Sequence, residues 1–306
     1  MSLQKNKTLL LDSYVVVEKI GSGSFGDVYL AKRKRTNTMV AIKVEEKKKA
    51  SRMENEYKIY KRLHKNGMNI GIPQIHDFMQ TPTFNVMCMQ LLGPSLEDVF
   101  NKCARKFSTN TTLKLGISII GLLKNFHNNR FIHRDIKPNN FLIGRTDEEN
   151  QVFLMDFGLS KQYIDKKMIH NKFREGRSLI GTARYASINM HMGIEPSRRD
   201  DLESVGYMLV YFAQGSLPWQ GLKKKKNQSN IETIGDVKLC TNLSHLCDGL
   251  PDCFMEYIIY CRKLKYEEDP DYDYLIDLFD KYYKENGSPE YEWVTQTHQK
   301  SSSNTK

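Results

Sequence analysis

The tripeptide Leu92-Gly93-Pro94 separates two textures in this chain, and no other feature restricts its fold so strongly. Before it, Tyr14 to Lys19, Val28 to Lys32 and Met39 to Val44 are β-branched and aromatic stretches bounded by Gly, Asn or Thr, and they read as strands. One helix is expected among them, over Arg52 to Leu63, because Met53, Tyr57, Tyr60 and Leu63 recur at helical spacing. Two further strands surround Gln74 to Phe78 and Phe84 to Gln90, after which the strand pattern stops. Gly93 and Pro94 mark a hinge.

Beyond the hinge the texture is helical. Ser95 with Asp98 three residues on has the form of a capping box for the segment LEDVF. From about Thr112 to Phe126 apolar residues nearly encircle a helix, so that helix is expected in a core. Asp201 to Ala213 behaves alike in its second half, and helical patterns return at Phe254 to Lys265 and Tyr274 to Tyr283. No internal repeat is visible, and from about Gly287 the chain turns polar and rich in Ser and Thr, as mobile tails do.

Length and composition narrow the classes further. The 306 residues suffice for one large domain or two small ones. With 40% hydrophobic and 27% charged residues, a wholly disordered, collagen-like or membrane chain is excluded. No apolar run approaches the roughly 20 residues of a membrane span, and MSLQKNK lacks the apolar core of a secretory signal. Myristoylation would need Gly at position 2, and SSSNTK carries no prenylation cysteine. None of the six cysteines forms a C-x-x-C pair, so no zinc or dithiol site is signalled and a reducing compartment is expected. The net charge of +10 invites nucleic acid, anionic membrane or acidic protein without choosing among them.

Chemistry enters with Gly21-Ser22-Gly23-Ser24-Phe25-Gly26-Asp27-Val28, a G-x-G-x-x-G-x-V run. Alone it is weak, since dinucleotide-binding folds share the spacing and Glu45 and Glu46 lie near the distance of a ribose-binding acid. The next element of the chain decides between them: VYLAKR, a TNT turn and MVAIKV read as a hairpin, where a dinucleotide site needs a helix. The glycines therefore bring backbone N–H groups to phosphate oxygens from a β-turn. Lys43 places a cation among apolar neighbours, and His133-Arg134-Asp135, Asn140 and Asp156-Phe157-Gly158 come after it in order. Phosphoryl transfer needs a carboxylate for the hydroxyl nucleophile and oxygen ligands for Mg²⁺, and Asp135, Asn140 and Asp156 supply both.

With these motifs the sequence resembles the eukaryotic protein kinases over roughly residues 12 to 285. GSGSFGDVY, LLGPSLEDVF, HRDIKPNNFL, DFGLSK, GTARYASIN, RRDDLES and GSLPWQGL resemble the casein kinase I family more closely. Its mark is Ala186-Ser187-Ile188-Asn189 where most protein kinases have Ala-Pro-Glu, whose Glu pairs with a buried Arg. The resemblance implies an α+β, bilobal kinase fold. A small β-rich N-lobe with one main helix spans about 12–91, a hinge about 89–94, and a larger, mostly helical C-lobe about 95–286, with an extension at 1–11 and a polar tail at 287–306.

The resemblance also implies ATP and Mg²⁺ as cofactors and assigns roles residue by residue. Lys43 contacts phosphate and pairs with Glu56, which is preferred to Glu54 because EYKIYK fits the family pattern and Glu56 shares a helix face with Met53 and Leu63. Asp135 orients the substrate hydroxyl or takes its proton, Lys137 neutralises the transferring phosphoryl group, and Asn140 and Asp156 hold magnesium. Lys137 is typical of Ser/Thr kinases, which sets the expected specificity. Thr182 is expected to bond both Asp135 and Lys137, and Asp201 to brace the catalytic loop. Ile20, Val28, Ala41, Met89, Leu92 and Leu142 would form the adenine pocket, with Met89 as gatekeeper and Gln90 at a hinge position where the family usually has Glu.

Basic residues gather at Lys172, Arg174, Arg177, Arg184 and Lys223 to Lys226, and for such runs the commoner reading is a solvated loop. The resemblance gives Arg184, with Gly221 and Lys226, the task of binding a phosphate or acidic group upstream of the acceptor. One departure is Asn230, aligned with a lysine of the family. Lys32-Arg33-Lys34-Arg35 reads as a solvated hairpin turn before a nuclear-import patch, and His127, His170 and His191 lack metal spacing. Asp12, Asp27, Asp200 and Glu267 to Asp269 are expected to be structural or solvated. Activation without loop phosphorylation is expected, since the loop offers few acceptors, chiefly Ser160, Ser178 and Thr182, and Ile180 stands where relatives have Thr.

The partners expected are protein substrates with acidic or phosphorylated Ser/Thr contexts, with no nucleic acid and no membrane insertion; the chain itself is expected to be a monomer in the cytoplasm, with the nucleus a second compartment. The alternative is a catalytically inactive kinase-like scaffold that holds acidic partners on its basic face.

Overall fold

The computed structural model describes residues 13–23, 26–47, 51–222, 229–286 and 291–294. Ser24, Phe25 and Lys226, singled out above, lie outside the described residues, as do Asp12 and most of the polar tail. The chain divides into two compact units, Met1–Gly93 with Met155–Gly158, and Pro94–Leu154 with Leu159–Lys306. The architecture is mixed α+β, with a β-sheet N-terminal region and a helical C-terminal region.

In the first unit, β1 (Tyr14–Gly23), β2 (Gly26–Arg33), β3 (Met39–Glu46), β4 (Ile75–Gln80) and β5 (Phe84–Gln90) form an antiparallel sheet in the order β1-β2-β3-β5-β4. The glycine run is the hairpin between β1 and β2, with Gly21 opposite Val28 and Gly23 opposite Gly26, and β2 continues directly into a second hairpin with β3. Among the described residues β2 follows the glycines where a dinucleotide arrangement needs a helix, so that arrangement is excluded. Gly26 cannot be replaced at its position: φ is +125° and a Cβ would meet the Val44 carbonyl at 2.1 Å.

Residues directly opposite across antiparallel strands share a face. Tyr14, Tyr29, Ala31, Val40, Ile42, Val44, Val86 and Cys88 therefore pack one face into a core. Val28, Ala41, Lys43, Met87 and Met89 fall on the other, with Val28 and Met87 flanking Lys43 and Met89 beside Ala41.

Helix α1 (Arg52–Lys65) is capped by Ser51, whose hydroxyl accepts from Glu54 N at 3.1 Å. The same hydroxyl donates to Glu45 on β3 and accepts from Asn85 on β5, so the cap also fastens the helix to the sheet. Met53, Glu56, Ile59, Tyr60 and Leu63 form its buried stripe. A carboxylate on that stripe needs a partner.

The second unit contains α2 (Leu96–Lys102), α3 (Thr109–Asn128), α4 (Ile188–His191), α5 (Arg198–Gln214), α6 (Asn230–Cys240), α7 (Leu243–Leu246), α8 (Asp252–Lys263) and α9 (Tyr272–Asn286). Short ladders join β6 (Phe131–Ile132) to β9 (Lys161–Gln162) and β7 (Phe141–Ile143) to β8 (Val152–Leu154). Helix α3 lies against α5 and α9, and α5 against α8. From Leu202 to Ala213 every residue of α5 is buried, as its all-round apolar second half requires.

Helix α3 starts earlier than hydrophobicity alone places it, because Ser108 caps a polar first turn at Thr111 N. Helix α6 begins in a stretch without clear periodicity, where Ser229 and Glu232 form a capping box. No helix among the described residues is long and apolar enough to cross a membrane.

Candidate active site

In the first unit Lys43 Nζ lies 2.8 Å from Glu56 Oε2 and 3.2 Å from Asp156 Oδ1. Glu54 is turned away and pairs with Lys58 on the exposed side of α1. Burial works to lower the Lys43 ammonium, but the charges of Glu56 and Asp156 outweigh it and raise it above the ordinary lysine range, so it stays protonated. Burial pushes the Glu56 carboxyl up to about 7, against the pull of Lys43 and with repulsion from Asp156 adding to it. Two carboxylates thus share one cation.

Asp156 sits at φ +63°, a left-handed conformation uncommon outside glycine and frequent at functional sites. Phe157 behind it is buried against Tyr60 of α1, ring centroids 4.6 Å apart, and holds the Asp156 turn to the helix that carries Glu56. Ala41, Met89 and Leu92 are buried, and Ile20 is half exposed. Gln90 is committed locally: its N–H donates to Gln74 O at 2.8 Å and its Oε1 accepts from Gln74 N at 3.2 Å.

In the second unit Asp135 is buried and each of its carboxylate oxygens is held. Thr182 Oγ1 donates to Oδ1 at 2.8 Å, and Lys137 Nζ to Oδ2 at 2.5 Å. The expected bond from Thr182 to Lys137 is not formed, because the two donors take opposite oxygens of the one carboxylate. Asn140 Nδ2 donates to Asp135 O at 2.8 Å and leans on Oδ2 at 3.4 Å. That leaves its amide oxygen as an acceptor that no described residue fills. Leu142 lies on β7 and is partly exposed.

Asp201 organises the loop backbone. Its carboxylate accepts from His133 N at 2.6 Å, Arg134 N at 2.8 Å and His127 Nε2 at 2.9 Å. Burial would raise its carboxyl, but the hydrogen bond and charge of His127 and the His133 amide hold it below the ordinary range. Burial lowers His127, which is consistent with a neutral ring that donates from Nε2 and accepts the Tyr272 hydroxyl at Nδ1. Arg134 is bent to φ +67° so that two successive amides reach one carboxylate.

Gly181 joins the site although no motif reading singles it out. At φ +87°, a Cβ there would stand 2.4 Å from Arg134 O and 3.1 Å from Asp135 Oδ1, so the segment that delivers Thr182 can approach only as glycine.

Arg184 lies two residues beyond Thr182, its guanidinium 5.8 Å from the Tyr185 ring and 5.7 Å from that of Tyr211, with no ion pair to a carboxylate of the described residues. Gly221 is at φ +66° with open space where a Cβ would go. Asn230 opens α6. Asp200 is buried, accepts from Ser187 Oγ and Ser197 N, and is pushed by burial up to about 6 against those bonds. Glu195 meets Lys161 at 2.6 Å and Arg177 at 3.1 Å in a pocket that Arg134 also lines.

A lysine clamped between two carboxylates beside a glycine hairpin, and a buried aspartate whose loop is wired to a helix, define a phosphotransferase of the protein kinase kind. A family model described as protein kinase domain matches residues 14–260, most of the chain, and the chain belongs to that family. Protein kinase domains generally use ATP and Mg²⁺. Each unit offers chemistry of a kind that suits them: in the first, the Asp156 carboxylate is a hard oxygen donor and protonated Lys43 a cation, and in the second the Asn140 amide oxygen is a hard oxygen donor.

Proposed function

We propose that this protein kinase is an ATP- and Mg²⁺-dependent Ser/Thr kinase of casein kinase I type, favouring acidic or pre-phosphorylated protein substrates. The substrate hydroxyl oxygen bonds to the γ-phosphorus of ATP as the bond from that phosphorus to the β–γ bridging oxygen breaks, ADP leaves, and the hydroxyl proton passes to Asp135. Lys137 is the cation that offsets charge on the transferring group, a role supported by its bond to Asp135 Oδ2. Lys43 holds phosphate, and the backbone of Gly21, Gly23 and Gly26 covers it. Asn140 and Asp156 would hold Mg²⁺, which when bound neutralises phosphate charge.

The observation that carries the acidic preference is Arg184. Its guanidinium rests on two aromatic rings, lacks an ion-pair partner among the described residues, and stands two residues from the threonine that bonds Asp135. A phosphate or carboxylate preceding the acceptor fits that cation. The scaffold alternative gains no support, since Lys43, Glu56, Asp135, Asn140 and Asp156 are all present. Independence from loop phosphorylation is supported by Glu195, a carboxylate already among Lys161 and Arg177.

The test uses phosphatase-stripped protein, wild type and Asp135→Asn, with labelled ATP and two serine peptides that differ only in a phosphoserine three residues before the acceptor. Wild type is expected to label both, the primed peptide at least about tenfold faster, and Asp135→Asn to lose about 10²–10⁴ in rate. An inert stripped enzyme, or an Asp135→Asn rate equal to wild type, sinks the kinase mechanism. Equal rates on the two peptides sink the acidic preference alone.

A further inference from the structure

Lys238 lies in α6 with its side chain completely buried, 0% exposed among the described residues. A lysine is rarely buried without a specific set of partners. Here the partners are the carbonyls of one segment: Nζ donates to Ala183 O at 3.0 Å, Arg184 O at 3.3 Å and Ala186 O at 2.5 Å. The ammonium also stands 3.3 Å from His191 Nε2, and over the rings of Tyr207 and Trp219 at 4.8 and 4.9 Å.

Trp219 adds a second donor to the same place, Nε1 to Arg184 O at 2.7 Å. The segment is gripped from α5 as well, where Glu203 accepts from Ile188 N at 3.1 Å and Asp200 from Ser187 Oγ at 2.6 Å. Carbonyls are held from α6 and the following amide and hydroxyl from α5. One short stretch of backbone, Ala183 to Ile188, is thereby fixed; it follows Thr182, bound to Asp135, and carries Arg184, whose guanidinium has no ion-pair partner among the described residues. Burial pulls the Lys238 ammonium down to about 7, Glu203 opposing and Arg262 adding. The fold holds a reluctant cation there, and its donors all serve that stretch.

We propose that Lys238 is a positioning residue for substrate selection, fixing the backbone of Ala183 to Ala186 so that Arg184 meets an acidic group at a set number of residues before the serine presented to Asp135. This rests on the reading of Arg184 as the acidic-group site. Lys238 does not touch substrate. It sets the spacing between the two groups that do.

The test measures kcat and KM separately on three peptides, with phosphoserine three residues before the acceptor, with phosphoserine four before it, and with none. The enzymes are wild type, Lys238→Met, Trp219→Phe and Arg184→Gln, each checked for folding by circular dichroism and for its KM for ATP. For folded Lys238→Met, KM for the first peptide is expected to rise about tenfold, the loss of a charged hydrogen-bond donor, and its preference over the other two to vanish, with KM for ATP unchanged. A folded Lys238→Met that keeps the wild-type preference for one spacing, while Arg184→Gln abolishes it, overturns the inference and spares the Arg184 reading. An Arg184→Gln enzyme with the preference intact overturns the Arg184 reading itself. Should Lys238→Met not fold, Trp219→Phe decides. It removes one donor to Arg184 O and is expected to reduce the preference about threefold, and an unchanged preference overturns the inference.

Discussion

Lys43 in the sheet unit and Asp135 in the helical unit are both buried or nearly buried charges, yet they are held in place by different means. Lys43 is oriented by the charges it serves beside, Glu56 and Asp156, and the sheet, α1 and the Met155–Gly158 segment only bring those side chains within 3.2 Å. Asp135 is oriented by layers. Thr182, Lys137 and Asn140 touch it, Asp201 holds the backbone before it, His127 holds Asp201, and Tyr272 holds His127. An ion-pair cluster of this kind links function to a single cation, so its loss should be abrupt. A layered loop spreads the task over several contacts, so single losses should be graded.

The sharpest break of that comparison is expected in the sheet unit. Lys43→Met removes the phosphate cation and leaves Glu56 and Asp156 facing each other, and kcat/KM should fall about 10²–10³-fold, as when a preorganised donor is deleted at a reacting group. Glu56→Gln keeps the volume and one hydrogen-bond acceptor and should lose about tenfold. Because Glu56 acts through Lys43, the double variant should be no worse than Lys43→Met alone. A double variant whose loss is the product of the two single losses would mean that Glu56 has a role of its own, and the single-link account of this unit would fail.

A middle effect is expected at Asp201. Asp201→Asn replaces a charged acceptor of three N–H groups with one neutral amide oxygen, leaving a donor unpaired in a buried site. The loss should be about 1.5–3 kcal/mol of stability, read as a lower midpoint in thermal unfolding, with kcat about tenfold lower and KM for ATP little changed. Wild-type kcat in a folded Asp201→Asn would show that the loop before Asp135 holds its shape without the helix, and the layered picture would lose its middle layer.

The two units also differ in how much of them can be read from sequence. The Lys43 pair lies in regular structure, where period-2 and period-3.6 patterns fix which face a residue occupies, so the shared helix face together with the family resemblance of EYKIYK tells Glu56 from Glu54 in the sequence. The order of Asp135, Asn140 and Asp156 is likewise visible as spacing within short motifs. Lys238 is not, because it stands in a weakly patterned helix and its partners at Ala183 to Ala186 are more than fifty residues away. Nothing local distinguishes a lysine that buries its ammonium on distant carbonyls from one in water. Gly181 escapes for a related reason: its need for a missing Cβ comes from Arg134 and Asp135, which local turn rules do not include. The bond expected from Thr182 to Lys137 fails because a motif names the residues of a cluster but not which of two carboxylate oxygens each takes.

The smallest effect should come from Thr182, and it separates direct support of Asp135 from support through the backbone. Its hydroxyl gives one hydrogen bond, 2.8 Å to Asp135 Oδ1, while Lys137 and Asn140 keep the other oxygen and the carbonyl in place. Deleting one such bond where partners remain costs about 1 kcal/mol, so Thr182→Ala should lower kcat about fivefold and move the unfolding midpoint less than Asp201→Asn does. Thr182→Ser, which restores the hydroxyl without the methyl, should recover most of the rate. A loss in Thr182→Ala as large as that of Asp135→Asn would mean that the carboxylate depends on this one contact as Lys43 depends on its pair, and the two units would then be built alike.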